Sequence, residues 1–206
     1  GIENSWAFYG GTSWQKVAET VLRGQMDPPT FPVSWEEIRK ITHEMAFHDV
    51  YDLLSFPLVH GAVKVACRKL NHPQETYGWR LEDAATGKVV VYTTDNEPYD
   101  PRVPDPRLLE LVKGADVWIT DCQYSRDVYN GVEGGVPRHG WGHSYPDAVA
   151  TTAIEGGVKS VALFHHDPGS SDFKIKQIET DTARLVTDGG GKTEVLAAYE
   201  GLELTL

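Results

Sequence analysis

Imidazole and carboxylate side chains recur in this chain where predicted strands begin or end. Four of them lie at strand ends, namely His72, Asp95, Asp121 and His165, and the fifth, His143, lies at the mouth of the predicted helix before the last of these strands. Imidazole nitrogens and carboxylate oxygens are the ligands that zinc, manganese and iron take in proteins. One such residue at a strand end is ordinary, but five in similar structural positions favour a shared, metal-dependent site.

A predicted hairpin positions the first two of these residues. Residues 76–82 and 88–94 are rich in β-branched and aromatic side chains and flank an Ala-Ala-Thr-Gly turn. Because the open ends of a hairpin lie side by side, we expect His72 and Asp95 at one rim. Each also has a purely structural explanation, since His72 can be a loop residue and Asp95 can open an Asx-turn.

The chain after this hairpin alternates short apolar strands with helices. The predicted strands are residues 115–120, 158–164 and 194–204, and the predicted helices are 106–112, 145–155 and 172–187. This order predicts a layered α/β domain, in which sites gather at the carboxyl ends of the strands. Earlier in the chain, Ser34 with Glu37 three positions later forms a capping-box pattern that predicts a short helix.

The composition limits the classes of partner. The 206 residues are 40% hydrophobic, enough for one sizeable core, and we expect a single domain over residues 1–206. A formal net charge of −11, with no long Lys/Arg block, argues against nucleic acid as a partner. The chain has no apolar run long enough to cross a bilayer and no CxxC pair, so we expect a cytoplasmic protein without a membrane partner.

The segments around the five residues resemble those of metallo-β-lactamase-fold hydrolases. These segments are HP...GW at His72, YTTDNEP at Asp95, TDCQY at Asp121, GWGHS at His143 and LFHHDP at His165. Within that superfamily they are most similar to the phosphodiesterase-like branch, which includes the transfer-RNA 3′-processing ribonuclease, ribonuclease Z, and small cyclic phosphodiesterases. The resemblance covers nearly the whole chain and implies the C-terminal two thirds of a four-layer αββα sandwich.

The resemblance also implies a role for each residue. His72 and His165 would bind the two divalent metal ions, one each, and Asp95 would bridge them. Zinc is the expected metal, with manganese or iron as alternatives. His143 would be the general acid that protonates the leaving oxygen, and Asp121 would hold its imidazole in the donor tautomer.

Neighbouring residues leave two alternatives open. His165 and His166 are both candidates for the second-metal ligand; His165 is preferred because it directly follows the apolar run, and alternation along a strand points His166 the other way. The acidic residues between positions 96 and 105 are interpreted as solvated surface. The aromatic residues that either stack on a substrate ring or pack the loop onto the sheet are Tyr124, Tyr129, Trp141 and Tyr145.

One motif of the family is absent from these 206 residues. HxHxDH supplies three or four of the family's metal ligands, and the three ligands named above are too few for two ions. We therefore expect the motif on a longer form of the polypeptide or on a partner chain, unless the domain is degenerate. A homo-oligomer is a further option.

Together these inferences predict a metal-dependent hydrolase, most simply a binuclear phosphodiesterase. A metal-bridging hydroxide would attack a small, for example cyclic, phosphodiester, and His143 would protonate the leaving group. The acidic composition favours such a small substrate over RNA. The alternatives are a non-catalytic ligand-sensing or dimerisation module on the same fold, and a hydrolase of thioesters or lactones.

Overall fold

The computed structural model describes residues 4–11, 20, 23–26, 29–52, 54–58 and 61–206. The chain forms two compact units, Gly1–Tyr51 and Asp52–Leu206. No helix in the described part of the chain is both long enough and apolar enough to cross a membrane.

The first unit contains a parallel pair of strands, β1 (Asn4–Gly11) and β2 (Thr42–Val50), with helix α1 (Trp35–Ile41) between them in the chain. The Ser34 hydroxyl caps α1 and Glu37 bonds back to the Ser34 backbone, so the predicted capping box is confirmed.

The second unit is built on one seven-stranded sheet whose spatial order follows the chain order. Its strands are β3 (Ser55–Leu58), β4 (Val63–Lys69), β5 (Tyr77–Asp83), β6 (Val89–Thr93), β7 (Val117–Asp121), β8 (Ser160–Phe164) and β9 (Glu194–Ala197). Strands β3 to β6 are antiparallel to one another, and β6 to β9 run parallel. The predicted hairpin is therefore present as β5 and β6, and the second half has the parallel order that alternating helices require.

Helices connect the parallel strands. They are α2 (Pro106–Val112), α3 (Arg126–Tyr129), α4 (Pro146–Gly156) and α5 (Asp172–Asp188). Apolar side chains of α2, α4 and α5 form one buried cluster with those of β6, β7 and β8, including Leu111, Val149 and Trp118. This core fixes the strands beneath the loops that carry the predicted site residues.

The prediction of a closing strand over residues 194–204 is wrong in length, because the strand is shorter. Strand β9 ends at Ala197, and the chain then turns, with the Leu202 N–H bonded to the Tyr199 carbonyl at 3.1 Å. Gly201 has φ of 85°, a left-handed conformation that reverses the chain. The alternation of apolar residues continues beyond the strand, which is why the sequence pattern extends too far.

Candidate metal centre

The parallel order of β6, β7 and β8 brings Asp95, Asp121 and His165 to one edge of the sheet. Strand β6 pairs with β7 as far as Thr93, and β7 pairs with β8 as far as Asp121. Asp95 follows β6 by two residues and His165 directly follows β8. The carboxyl ends of neighbouring parallel strands are level, so side chains that follow them converge.

Asp95, His143 and His165 form a compact group of potential ligands. One ligand atom from each lies within 4.8 Å of the other two. Nε2 of His165 is 3.2 Å from Oδ1 of Asp95, and the rings of His143 and His165 stack with their centroids 4.9 Å apart. Loop residues from three separate segments thus present nitrogen and oxygen donors to one point.

The backbone is strained at two members of this group. Asp95 has φ of 58° and His165 has φ of 53°, and they are the non-glycine residues with positive φ in the described part of the chain. Left-handed conformations of non-glycine residues cost about 1–3 kcal/mol each and tend to occur at functional sites. The folded chain therefore tolerates local strain where it orients these two side chains towards each other.

His143 is held by a buried carboxylate. Its Nδ1 lies 3.3 Å from Oδ2 of Asp121, a fully buried residue. The same Oδ2 accepts from the N–H of Asn96 at 2.8 Å, and Oδ1 accepts from the N–H of Ser144 at 2.6 Å. Burial raises the pKa of Asp121, but these donors favour its ionised form. The arrangement leaves Nε2 of His143 as the nitrogen available for chemistry.

The carboxylates around His143 favour the protonated form of its imidazole. Burial lowers the pKa of His143, but the hydrogen bond to Asp121 and its charge, together with the charges of Asp95 and Glu97, raise the pKa above its usual value. A histidine with a raised pKa is partly protonated near neutral pH and can donate a proton.

His72 lies beside this group but outside it. Its ring centroid is 5.7 Å from that of His143, and its Nδ1 is 3.2 Å from the Gln74 backbone and from the Thr76 hydroxyl. If Nδ1 donates to the Gln74 carbonyl, Nε2 is unprotonated and can bind a metal. A Cβ at Gly142 would lie 2.7 Å from Nε2 of His72, so only glycine fits at this approach.

The structure separates the two adjacent histidines. His165 faces Asp95, whereas Nε2 of His166 lies 3.3 Å from the carbonyl of Ala198. Both residues come after the end of β8, so strand alternation is the wrong reason for their divergence. The chain between them has the left-handed backbone of His165, with φ of 53°.

Most of the loop aromatics pack against protein. Tyr129 stacks on Tyr145 at 4.2 Å, and the ring of Tyr124 meets His143 edge-on at 6.1 Å; all three tyrosines are buried. Trp141 remains 51% exposed, with the Arg138 guanidinium 4.5 Å from its ring. Of the four aromatics, Trp141 is thus the accessible one.

The interpretation of residues 96–105 as solvated surface is wrong for Glu97. This side chain is 7% exposed and accepts three hydrogen bonds from residues 32, 43 and 45 positions further along the chain. No local pattern marks such a residue, because its partners come from a distant loop.

The residues present fit a divalent cation. The imidazoles of His143 and His165 and the carboxylate of Asp95 match the donors that zinc, manganese and iron use. Nδ1 of His165 is buried, and no hydrogen-bond partner for it occurs among the residues that the structure describes. An imidazole with one unpaired nitrogen and the other beside a carboxylate is better suited to a metal ligand than to a packed core residue.

A family model described as a beta-lactamase superfamily domain matches residues 8–166, which include all five predicted site residues. The chain belongs to this family, whose members are mostly metal-dependent hydrolases.

Several solved structures share the fold. Unliganded yeast PDE1 aligns with a TM-score of 0.70 at 12% identity, over 96% of this chain and 59% of that chain. Zn(2+)-bound PqqB from Methylobacterium extorquens aligns with a TM-score of 0.61 at 14% identity, over 98% of this chain and 65% of that chain. The short form of human tRNase Z (ELAC1) aligns with a TM-score of 0.51 at 15% identity, over 81% of this chain and 62% of that chain. The predicted metallo-β-lactamase family and α/β fold class are confirmed, and the chain spans less than two thirds of each of these three proteins.

Proposed function

We propose that this protein is a metal-dependent phosphodiesterase acting on small, for example cyclic, phosphodiesters, with His143 as the general acid. The observation that carries the proposal is the hydrogen bond between His143 and the buried Asp121, next to Asp95 and His165. Membership of a superfamily of mostly metal-dependent hydrolases supports it.

In this proposal His72, Asp95 and His165 would be ligands of two divalent metal ions, with zinc as the expected metal. When bound, such ions supply an activated water molecule and polarise the phosphoryl group. The remaining ligands would come from an HxHxDH segment outside these 206 residues, on the same polypeptide or a partner chain. The coverage of less than two thirds of each related structure supports a further segment.

His143 performs the proton transfer. Asp121 holds Nδ1 and fixes the ring, so Nε2 can donate to the departing alkoxide oxygen. The raised pKa of His143 supports this role because the donor must carry a proton before the leaving group departs.

The charge of the chain supports a small substrate. A formal net charge of −11 disfavours long contacts with a polyphosphate backbone, whereas a small phosphodiester needs only the local site. The exposed Trp141 ring, with Arg138 against it, offers a surface on which a substrate ring could stack.

The test combines metal analysis with turnover. We expect bound divalent metal and metal-dependent hydrolysis of a cyclic nucleotide. His143→Ala should lower kcat for this substrate by about 10²–10⁴-fold, the usual contribution of a general acid. His43→Ala, an exposed histidine of β2 outside the loop of His143, is the matched control and should keep kcat.

Other results would point elsewhere. Absence of both metal and turnover with every substrate would support a non-catalytic ligand-sensing or dimerisation module. Hydrolysis of a thioester or lactone, with no hydrolysis of phosphodiesters, would assign the site to that chemistry instead. Equal kcat in His143→Ala and the unmodified protein would remove His143 from the mechanism.

A further inference from the structure

A buried glutamate contacts the loop that carries His143. The carboxylate of Glu97 accepts from the Tyr129 hydroxyl at 2.6 Å and from the N–H groups of Gly140 and Gly142 at 2.8 Å each. Gly142 directly precedes His143, so one of these bonds lies a single residue from the proposed general acid.

The backbone of Glu97 is fixed to a second segment of the site. Its N–H donates to the carbonyl of Asn71 at 2.8 Å, and its own carbonyl accepts from Nδ2 of Asn71 at 2.9 Å. Asn71 directly precedes His72, and Glu97 itself follows Asp95 by two positions. One residue therefore links the segments of His72, Asp95 and His143.

The loop between Asn130 and His143 needs such a link. It contains no helix or strand, and its residues 132–137 are exposed. Besides its contact with Asp121, the ring of His143 packs against the rings of His72, Tyr124 and His165. A loop with few buried contacts stays in one place only if specific bonds hold it there.

We infer that Glu97 is a positioning residue, which sets the place of His143 by fixing the backbone of Gly140 and Gly142 to the end of β6. The inference rests on the proposed function, in which His143 is the general acid. A displacement of about 1 Å at a catalytic group can cost about 100-fold in rate, so a residue that acts only through the loop can still affect turnover strongly.

The chemistry requires a carboxylate. Oε1 accepts from Tyr129 and Gly140 while Oε2 accepts from Gly142, so both oxygens face donors. A glutamine at this position has to turn its NH₂ group towards at least one N–H or O–H donor, which leaves a buried donor unpaired. Glu97→Gln therefore changes the hydrogen bonding while keeping the shape of the side chain.

The experiment compares two leaving groups. An alkyl phosphodiester needs a proton on its leaving oxygen, whereas p-nitrophenolate leaves without one. We expect Glu97→Gln to lower kcat for the alkyl substrate by about 10–100-fold, with KM changed less than about twofold. With bis(p-nitrophenyl) phosphate, kcat should change less than about threefold, since that reaction does not depend on His143.

Two further variants calibrate the result. Tyr129→Phe removes one donor but keeps the ring stacked on Tyr145, so the loss for the alkyl substrate should be smaller than in Glu97→Gln. Glu110→Gln is the matched control, because this exposed glutamate bonds to Arg68 at 2.7 Å and should leave both reactions unchanged. If Glu97→Gln does not fold, kcat for the two substrates is compared in Tyr129→Phe instead.

Nitrogen NMR of the His143 ring gives a readout that does not depend on turnover. In Glu97→Gln the chemical shift of His143 Nδ1 should move away from the value that this nitrogen has when it is hydrogen-bonded to Asp121. An equal fall in kcat for both leaving groups, or unchanged His143 signals, would overturn the inference. If His143→Ala keeps full turnover of the alkyl substrate, the proposed function fails instead, and the ring signals alone decide whether Glu97 positions His143.

Discussion

Two buried aspartates lie at opposite ends of β7 and have different partners. Asp116 directly precedes the strand and Asp121 is its last residue, with exposures of 8% and 0%. Each accepts a backbone N–H from the β6 side of the sheet, Asp116 from Val89 and Asp121 from Asn96, both at 2.8 Å. Both carboxylates are therefore buried and bonded to the backbone beside β6, and Asp121 accepts a second backbone N–H, from Ser144.

Their side-chain partners separate them. Asp116 bonds to the amine of Lys159 at 2.7 Å and to that of Lys88 at 3.4 Å. Asp121 bonds to His143, an imidazole that can gain and lose a proton near neutral pH. The comparison teaches that two buried carboxylates on one strand can differ in whether their side-chain partner is a lysine or a histidine, and only the histidine fits the proposed proton transfer.

The largest expected effect is at the carboxyl end of β7. Asp121→Asn should lower kcat for an alkyl phosphodiester by about 10²–10⁴-fold, or about 3–5 kcal/mol, because an amide no longer stabilises the charged form of His143. Steady-state kinetics on the folded fraction measures it.

The opposite end of the strand supplies the control. Asp116→Asn should leave kcat per folded molecule unchanged. If the two variants lose activity equally, the contrast between the ends of β7 is wrong.

Asp116 should matter for stability instead. Asp116→Asn is expected to lower the free energy of unfolding by about 2 kcal/mol, because it weakens charge-assisted hydrogen bonds to Lys159 and to the N–H of Val89. Urea denaturation measures the change.

Acid titration sharpens this prediction. The hydrogen bond from Lys159, the N–H of Val89 and the charges of both lysines lower the pKa of Asp116 from 3.8 to about 2. A lowered pKa stabilises the folded state above pH 3.8, and this stabilisation is lost as the pH falls towards about 2. The unmodified protein should lose this component of stability over that range and Asp116→Asn should lack it; parallel pH profiles would contradict the assignment.

The smallest expected effects come from two glycines, one near each end of the sheet. A Cβ at Gly142 would lie 2.1 Å from Cδ2 of His72, whereas one at Gly157, beyond the C-terminus of α4, meets nothing within 4 Å. Gly142→Ala should lower kcat about tenfold, equivalent to about 1.4 kcal/mol, by displacing His72 or the His143 loop. Gly157→Ala should cost about 1 kcal/mol of stability from its left-handed φ and leave kcat unchanged. Kinetics and thermal denaturation of both variants test the pair, and a larger loss of kcat in Gly157→Ala would refute it.

Much of the fold follows from local patterns. The β5–β6 hairpin and helix α5 are close to their predicted bounds, because alternating apolar residues, turn residues and helix caps act over a few positions. Strand ends are local features too, so the residues that follow them could be named from the sequence. The family match over residues 8–166 confirms the predicted family.

The amino-acid sequence by itself determined the elements, the family and the candidate residues at the strand ends. Only the tertiary structure decided that Asp95 and His165 adopt left-handed backbones, that His143 lies beside them, and that Glu97 is buried under a distant loop. The physical reason is that the position and burial of a polar side chain depend on donors from segments far away in the chain. Those donors become neighbours only once the sheet has formed.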